Sequence, residues 1–271
     1  MAADIRCPAA IRVASVPGVT DTDAPPRLTR LTFHGPLSGA RAERIAGRLA
    51  RNRPATVLDI GCGWGEMTLR VLEAVPGATG TGLDIRAEDL ERGRRSAGAR
   101  GLADRVEFVR ESAEHTTRGP ADLVLCLGAS HALTSAEPPD HTAPALAELR
   151  GLVSPGGRVL LGEGFWQRTP TAAELSGMWP GASASDHLPL AGLVDAAVGA
   201  GFRVEWIETA NEDEWEEFES GYLADTEEWL ASHGDHPSAA GVGERVERHR
   251  SAWLHYRGVL GMAYLTLIPA G

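Results

Sequence analysis

Lysine is absent from this chain: all 26 of its basic residues are arginine. That excludes a Schiff-base lysine, a pyridoxal phosphate enzyme and a lysine general base. Cysteine is scarce. Cys7, Cys62 and Cys126 are widely spaced and odd in number, so no disulfide framework or metal-ligand spacing is visible. A reducing cytoplasmic setting is the expected one. No run of about 18 apolar residues occurs, which argues against a membrane-spanning helix. The segment Met1 to Pro8 is mixed and contains Asp4, and it does not read as a secretory signal. Basic charge is outweighed: 37 acids give a formal net charge of −11. Phosphate backbones need a local basic field, so nucleic acid is not an expected partner. Eight arginines do fall between Arg86 and Arg118, but acids interleave with them along a helix and the next strand, so they read as a solvated face.

What is present is enough apolar sequence for one large core. The chain has 271 residues, 43% of them hydrophobic. Residues 1–33 hold Pro8, Pro17, Pro25 and Pro26 with little periodicity and read as an irregular arm. Ser38 is the expected N-cap of a helix over 39–51, with Ile45 and Leu49 on its apolar face. From Pro54 the pattern alternates. Strands are predicted at 56–60, 79–84, 106–109, 122–127 and 157–162, and helices at 66–75, 87–100 and 142–153. The strands are short and apolar on both faces, as a parallel sheet covered on two sides requires. This is a doubly wound α/β domain.

After Glu163 the rhythm changes. Residues 164–191 are rich in loop formers, and a helix near 190–200 and a strand near 202–209 then resume the sheet. Residues 211–230 carry nine acids and no base, with Trp215, Phe218, Tyr222 and Trp229 at helical intervals. An amphipathic helix with buried aromatics and solvated acids accounts for that pattern. A further helix at about 241–255 precedes a long closing strand at 258–268. The segment 211–257 reads as a helical cap inserted before the last strand.

The densest signal is Val57-Leu58-Asp59-Ile60-Gly61-Cys62-Gly63-Trp64-Gly65. A strand ending in a glycine turn that opens into a helix places bare backbone N–H groups beside a ligand. A dinucleotide fingerprint would need its third glycine at position 66, which is Glu66, a carboxylate that would repel a pyrophosphate. No Gly-Lys-Ser/Thr follows, so this is not a P-loop. A nucleoside without a polyphosphate fits. Asp84 follows Gly65 by 19 residues, at the end of Gly82-Leu83-Asp84-Ile85, where an acid accepts both ribose hydroxyls of an adenosine. The alternative is a surface acid capping the next helix. Asp59 interrupts an apolar strand, where an unpaired charge is costly.

These residues, with Pro155-Gly156-Gly157 before the fifth strand, resemble the motifs of class I S-adenosylmethionine-dependent methyltransferases over about residues 54–163. The resemblance implies a mostly parallel, seven-stranded Rossmann-like sheet with S-adenosylmethionine as cofactor. It places cofactor contacts at Asp59, Gly61, Cys62, Gly63, Asp84 and Ile85, at Ser112 and Ala113 after the third strand, and at Leu127 and Gly128 ending the fourth. The matching acid of the family organises the glycine loop from the position of Asp59. Family members often carry an acid where Ser112 stands, contacting the adenine amino group. Ser112, a nearby carbonyl, or Glu114 one turn later takes that place here. The Asn/Asp-Pro-Pro-Tyr/Phe motif of methyltransferases acting on nucleic-acid bases or glutamine is missing.

His131, after the fourth strand, is the expected general base, or else a residue that orients its loop or bonds the cofactor carboxylate. Glu163 is the second catalytic candidate, at the tip of the fifth strand, with Phe165 and Trp166 as pocket walls; a helix-capping role competes. His34 is expected to close over the cofactor, and Trp64, Trp166 or Tyr222 to face positive charge. His187, His233, His236, His249 and His255 show no metal-ligand spacing, and no metal is expected. The tail resembles a bacterial subgroup of small-molecule methyltransferases. The expected activity is methyl transfer to an oxygen, nitrogen or carbon of a small metabolite. A non-catalytic binder of the same fold and a nicotinamide-dependent oxidoreductase remain as alternatives, and the oligomeric state is not legible.

Overall fold

Ser38 starts the first helix as expected: its side chain accepts the Arg41 N–H, and α1 (Gly39–Ala50) buries Ala42, Ile45, Ala46 and Leu49. A computed structural model describes residues 25–138 and 140–271, so most of the irregular arm, residues 1–24, lies outside the described residues. The alternation after Pro54 produces β1 (Thr56–Ile60), α2 (Glu66–Ala74), β2 (Thr79–Asp84), α3 (Ala87–Ala99), β3 (Val106–Arg110), β4 (Ala121–Leu127), α4 (Thr142–Leu152) and β5 (Val153–Trp166). Then come α5 (Ala172–Gly177), α6 (Leu190–Gly199), β6 (Phe202–Thr209), α7 (Glu212–Ser232), α8 (Ala239–Tyr256) and β7 (Leu260–Pro269). The seven strands form one sheet in the order β3-β2-β1-β4-β5-β7-β6. β7 runs antiparallel to both its neighbours, and the other pairings are parallel. The expected doubly wound, mostly parallel seven-stranded sheet is therefore what forms.

Both faces of the sheet are covered, which explains strands that are apolar on alternate and intervening residues alike. One face packs Leu69, Leu72 and Leu90 of α2 and α3 against Val57 and Leu123. The other packs Leu146, Leu149, Leu193 and Ala197 of α4 and α6 against Leu58, Val124 and Leu161. Strand order reverses between β1 and β4, which opens a crevice at their carboxyl ends.

Three expectations need correction. β5 has 14 residues rather than the six of 157–162. Its far end pairs with β7 as far as Trp166↔Leu260, and an antiparallel partner further along the chain is invisible to local periodicity. The acids of α7 are not all solvated: Glu214 accepts from Ser38 and Arg41, Asp225 from Thr29, and Glu219 from Tyr256 while pairing with His249. The arginines between Arg86 and Arg118 are staples as much as a solvated face. Arg92 donates to Leu28 O and Leu31 O, Arg94 to Phe108 O, and Arg105 to Leu72 O, Val75 O and Ala78 O. Among the described residues, no helix is long and apolar enough to cross a membrane.

Candidate active site

The glycine turn is shaped by what surrounds it. Gly61 has φ +60°, and a Cβ there would lie 2.4 Å from Ala129 Cβ. Gly65 has φ +67°, and its Cβ would lie 2.4 Å from the Phe108 ring. Only glycine combines a left-handed backbone with such close approach. The turn's N–H groups are not bare. Cys62 N–H donates to Leu83 O, Gly63 N–H to Asp84 Oδ2 and Gly65 N–H to Cys62 O, at 2.8–2.9 Å. The loop is thus bound to the end of β2, and these donors are already engaged, which disfavours a pyrophosphate. Glu66 does not aim a free charge at the crevice either. Its carboxylate is tied to Arg70 at 2.8 Å and to Arg100.

A cavity of about 350 Å³ lies over the turn. Asp59, Gly61, Cys62, Gly63, Asp84, Ile85, Ser112, Ala113, Leu127 and Gly128 all line it, and His131 and Glu114 do too. Asp84 ends β2 with Oδ2 on the Gly63 N–H and Oδ1 on the Arg86 N–H, both at 2.8 Å. Each oxygen keeps a lone pair for a hydroxyl. The helix-capping role and the ligand role coexist in one side chain. Ile85 beside it is 49% exposed, an apolar surface at the cavity edge. Ser112 Oγ accepts the Glu114 N–H at 3.3 Å.

Asp59 is buried, and Thr68 Oγ1 donates to its Oδ2 at 2.6 Å. The expected bonds to loop amides are replaced by this hydroxyl from α2. Burial pushes the Asp59 carboxyl up to about 7, the Thr68 bond opposes that, and the neighbouring Asp84 charge adds to it. Burial likewise pushes the Cys62 thiol up, so it stays protonated and inert.

The roof is a column of rings. Arg92 lies 3.8 Å from the Trp64 ring centroid; Trp64 stacks on His34 at 5.5 Å, His34 on Tyr222 at 6.4 Å, and Tyr222 on His249 at 4.6 Å. His34 lines the cavity, and burial pushes its imidazole down to about 4, so it is neutral at pH 7. Trp166 stacks on Trp179 at 6.1 Å. Of the three rings expected to face positive charge, Trp64 lines the cofactor cavity, and Trp166 and Tyr222 do not. Leu28 and Leu31, from the strap at 25–38 whose Phe33, His34 and Leu37 line the cavity, are buried with Trp64 and Phe218.

Glu163 does not reach the lining. β5 continues three residues past it, so Glu163 sits within a strand paired with Ala263, not at a tip. It is buried beside Ser130 and the Gly164 N–H, its Oε2 has no partner, and burial pushes its carboxyl up to about 7. Phe165 is buried with the α4 and α6 side and Trp166 with Trp179 and Tyr256, on opposite faces of the strand, so the two do not form one wall. His131 sits in a single turn at Ser130–Leu133, exposed and facing the cavity. His233 and His236 pack on the Trp229 ring.

Sequence reasoning missed Phe33, Leu37, Arg86, Asp89, Met262 and Tyr264 in the lining. The period-2 pattern Leu260, Met262, Tyr264 was the available signal for β7. Nothing local announced that this strand returns to the crevice.

The donor set fits S-adenosylmethionine: the carboxylates Asp59 and Asp84 suit cationic groups and ribose hydroxyls, in a mixed lining where Leu83, Ile85, Ala113, Leu127 and Met262 supply apolar surface. A methyltransferase domain family matches residues 57–157. An uncharacterized protein of Escherichia coli K12, YjhP, is 30% identical over 212 residues, 78% of this chain and 82% of that one. A Geobacter sulfurreducens S-adenosylmethionine-dependent methyltransferase, solved with S-adenosyl-L-homocysteine, superposes with a TM-score of 0.76 at 26% identity, covering 90% of this chain and 98% of that one. The mitomycin biosynthesis 6-O-methyltransferase of Streptomyces lavendulae is 30% identical over 141 residues, 52% of this chain and 39% of that one. By cavity, fold and kinship this chain belongs to the class I S-adenosylmethionine-dependent methyltransferases, and S-adenosylmethionine is its cofactor.

Proposed function

We propose that the enzyme methylates an oxygen, nitrogen or carbon atom of a small-molecule metabolite, in the cytoplasm. The observation that carries this reading is the roof. The strap at 25–38 gives Phe33, His34, Gly35 and Leu37 to the wall of a cavity of about 350 Å³, and α7 packs behind that wall, with Phe218 and Tyr222 against Leu28, Leu31, Trp64 and His34, a pocket of small-molecule size. The partial relative named for mitomycin methylation supports a small acceptor. The unpaired Cys62 and Cys126 suit a reducing compartment. In this reading α7 and α8 are the substrate-shaping cap.

Bound S-adenosylmethionine supplies an electrophilic methyl group on a sulfonium. Asp84 holds the ribose hydroxyls, and Asp59 faces the cationic methionine end. Ile85, Ser112 and Ala113 border the adenine, while Leu127 and Gly128 back the reacting end. The cavity wall of Phe33, His34, Leu37 and Trp64 would orient the acceptor against the methyl group, and such alignment accounts for most of this kind of catalysis. His131, exposed at the end of β4, removes a proton where the acceptor carries one.

Screening a metabolite library for S-adenosylhomocysteine release tests this function. On the acceptor so found, His131→Ala lowers kcat about 10²–10⁴-fold and leaves cofactor affinity unchanged. An unchanged kcat would reduce His131 to a loop-orienting role.

A further inference from the structure

The cofactor contacts assigned above stand at the ends of β1 to β4, and past β4 the sheet continues with β5 and then β7. Met262 and Tyr264 of β7 also line the cavity, together with Phe33 and Leu37 of the strap and Met67 of α2. All five belong to one buried apolar cluster, so they form one continuous end of the cavity wall. Met262 borders the reacting end: its terminal methyl lies 3.7 Å from where a Cβ on Gly128 would be.

The polar groups around this end offer nothing to an anion. Tyr264 donates its hydroxyl to Pro36 O at 2.9 Å, and burial pushes the Tyr264 pKa up, so the phenol stays neutral. The arginines behind the wall are committed. Arg70 lies over the Phe33 ring and pairs with Glu66, while Arg41 pairs with Glu214. Among the described residues that line the cavity, Arg86 is the one arginine, and its N–H holds it beside Asp84 at the ribose end. The charges that face the cavity near the reacting end are negative. Asp59 has the neutral Thr68 hydroxyl as its bonded partner, and Asp84 is held by two backbone amides. In the assignment above, Asp59 already answers the positive charge of the cofactor. An anionic acceptor would exchange water for an apolar wall beside two carboxylates, which is costly.

We propose that this end receives the methyl acceptor and selects an uncharged molecule with an apolar face, rejecting one that would set a carboxylate or phosphate beside Met262 and Tyr264. The proposal deepens the small-molecule reading above and rests on it. It names Phe33, Leu37, Met67, Met262 and Tyr264 as the specificity-determining wall.

The chain has four methionines, and Met67 and Met262 both lie in this wall, so they report on it without knowledge of the natural acceptor. Carbon-13 methyl spectra of methionine-labelled enzyme are recorded with S-adenosylmethionine bound. Met67→Leu, Met262→Leu and Met178→Leu, swaps that keep core volume, assign three signals. Benzamide and benzoate, matched in shape and different in charge, are then titrated at neutral pH. Benzamide saturably shifts the Met67 and Met262 signals and leaves Met178, packed with Trp166 and Trp179, in place. Benzoate acts on the same signals about tenfold or more weakly. The proposal is overturned if benzoate shifts them at comparable or lower concentration, or if benzamide leaves both in place. The charge preference of this wall is read whatever the size of the acceptor. Failure of the small-molecule reading shows instead as methyl label on macromolecules, so the two ideas fail separately.

Discussion

Asp84 performs two tasks with one carboxylate, which is why it can be read from sequence and why it is vulnerable. Its oxygens hold the Gly63 and Arg86 amides and offer their remaining lone pairs to the cavity. Asp84→Ala removes the ribose acceptors and releases the glycine turn, so calorimetry should show S-adenosylmethionine bound at least ~100-fold more weakly, since bonds to charged groups contribute about 1.5–3 kcal/mol each. Asp59 was legible as a polar interruption of an apolar strand, but its Thr68 partner, on the next helix, was not. Its folded pKa, about 7, lies well above the ordinary aspartate value of 3.8. The folded protein therefore binds an extra proton, and the stability this group contributes is greatest below about pH 4 and falls as pH rises toward 7. A cationic ligand offsets that loss by pairing with the ionised carboxylate. The thermal shift given by S-adenosylmethionine should then grow between about pH 5 and about pH 8, and Asp59→Asn should flatten the trend. A pH-independent shift in the wild type would contradict this assignment.

Elements were legible where their cause was local. The Ser38 cap and the alternation through β4 arise from short-range pattern, and their bounds match closely. β5 was not, because its last residues are held by β7, about a hundred positions later. α7 was legible as a helix, yet the destination of its acids depended on tertiary partners. Glu214 is the clearest case: burial alone would raise its pKa, but bonds from Arg41, Ser38 and the Asn211 N–H bring it down to about 2. That is below the ordinary glutamate value of 4.5, so its contribution is present at neutral pH and is lost as pH falls from about 4.5 through 2. Glu214→Gln should cost about 1.5–3 kcal/mol in denaturant unfolding at pH 7, because Arg41 loses its charge-assisted bonds to Glu214 and keeps only the longer pairing with Glu208, at 3.6 Å. The penalty should shrink on acidification. An equal penalty at both pH values would place the clamp elsewhere.

On the scale of the molecule, a chain without lysine fastens the strap beside its crevice with arginine. Arg92 ties the strap to α3 through Leu28 O and Leu31 O, and Arg27 pairs with Asp89 at 2.6 Å. The cofactor half of the site was legible because its residues fall at the ends of β1, β2, β3 and β4, each of which is announced by local pattern. The roof was not, since His34, Trp64 and Tyr222 meet only when strap, turn and cap converge. That roof is the basis for expecting a small acceptor, and one labelling experiment tests it most directly. Purified enzyme, tritiated-methyl S-adenosylmethionine and a size-fractionated cell extract are incubated together, and the label is counted in each fraction. The account predicts enzyme-dependent label in the small-molecule fraction; label confined to protein or nucleic acid would contradict it.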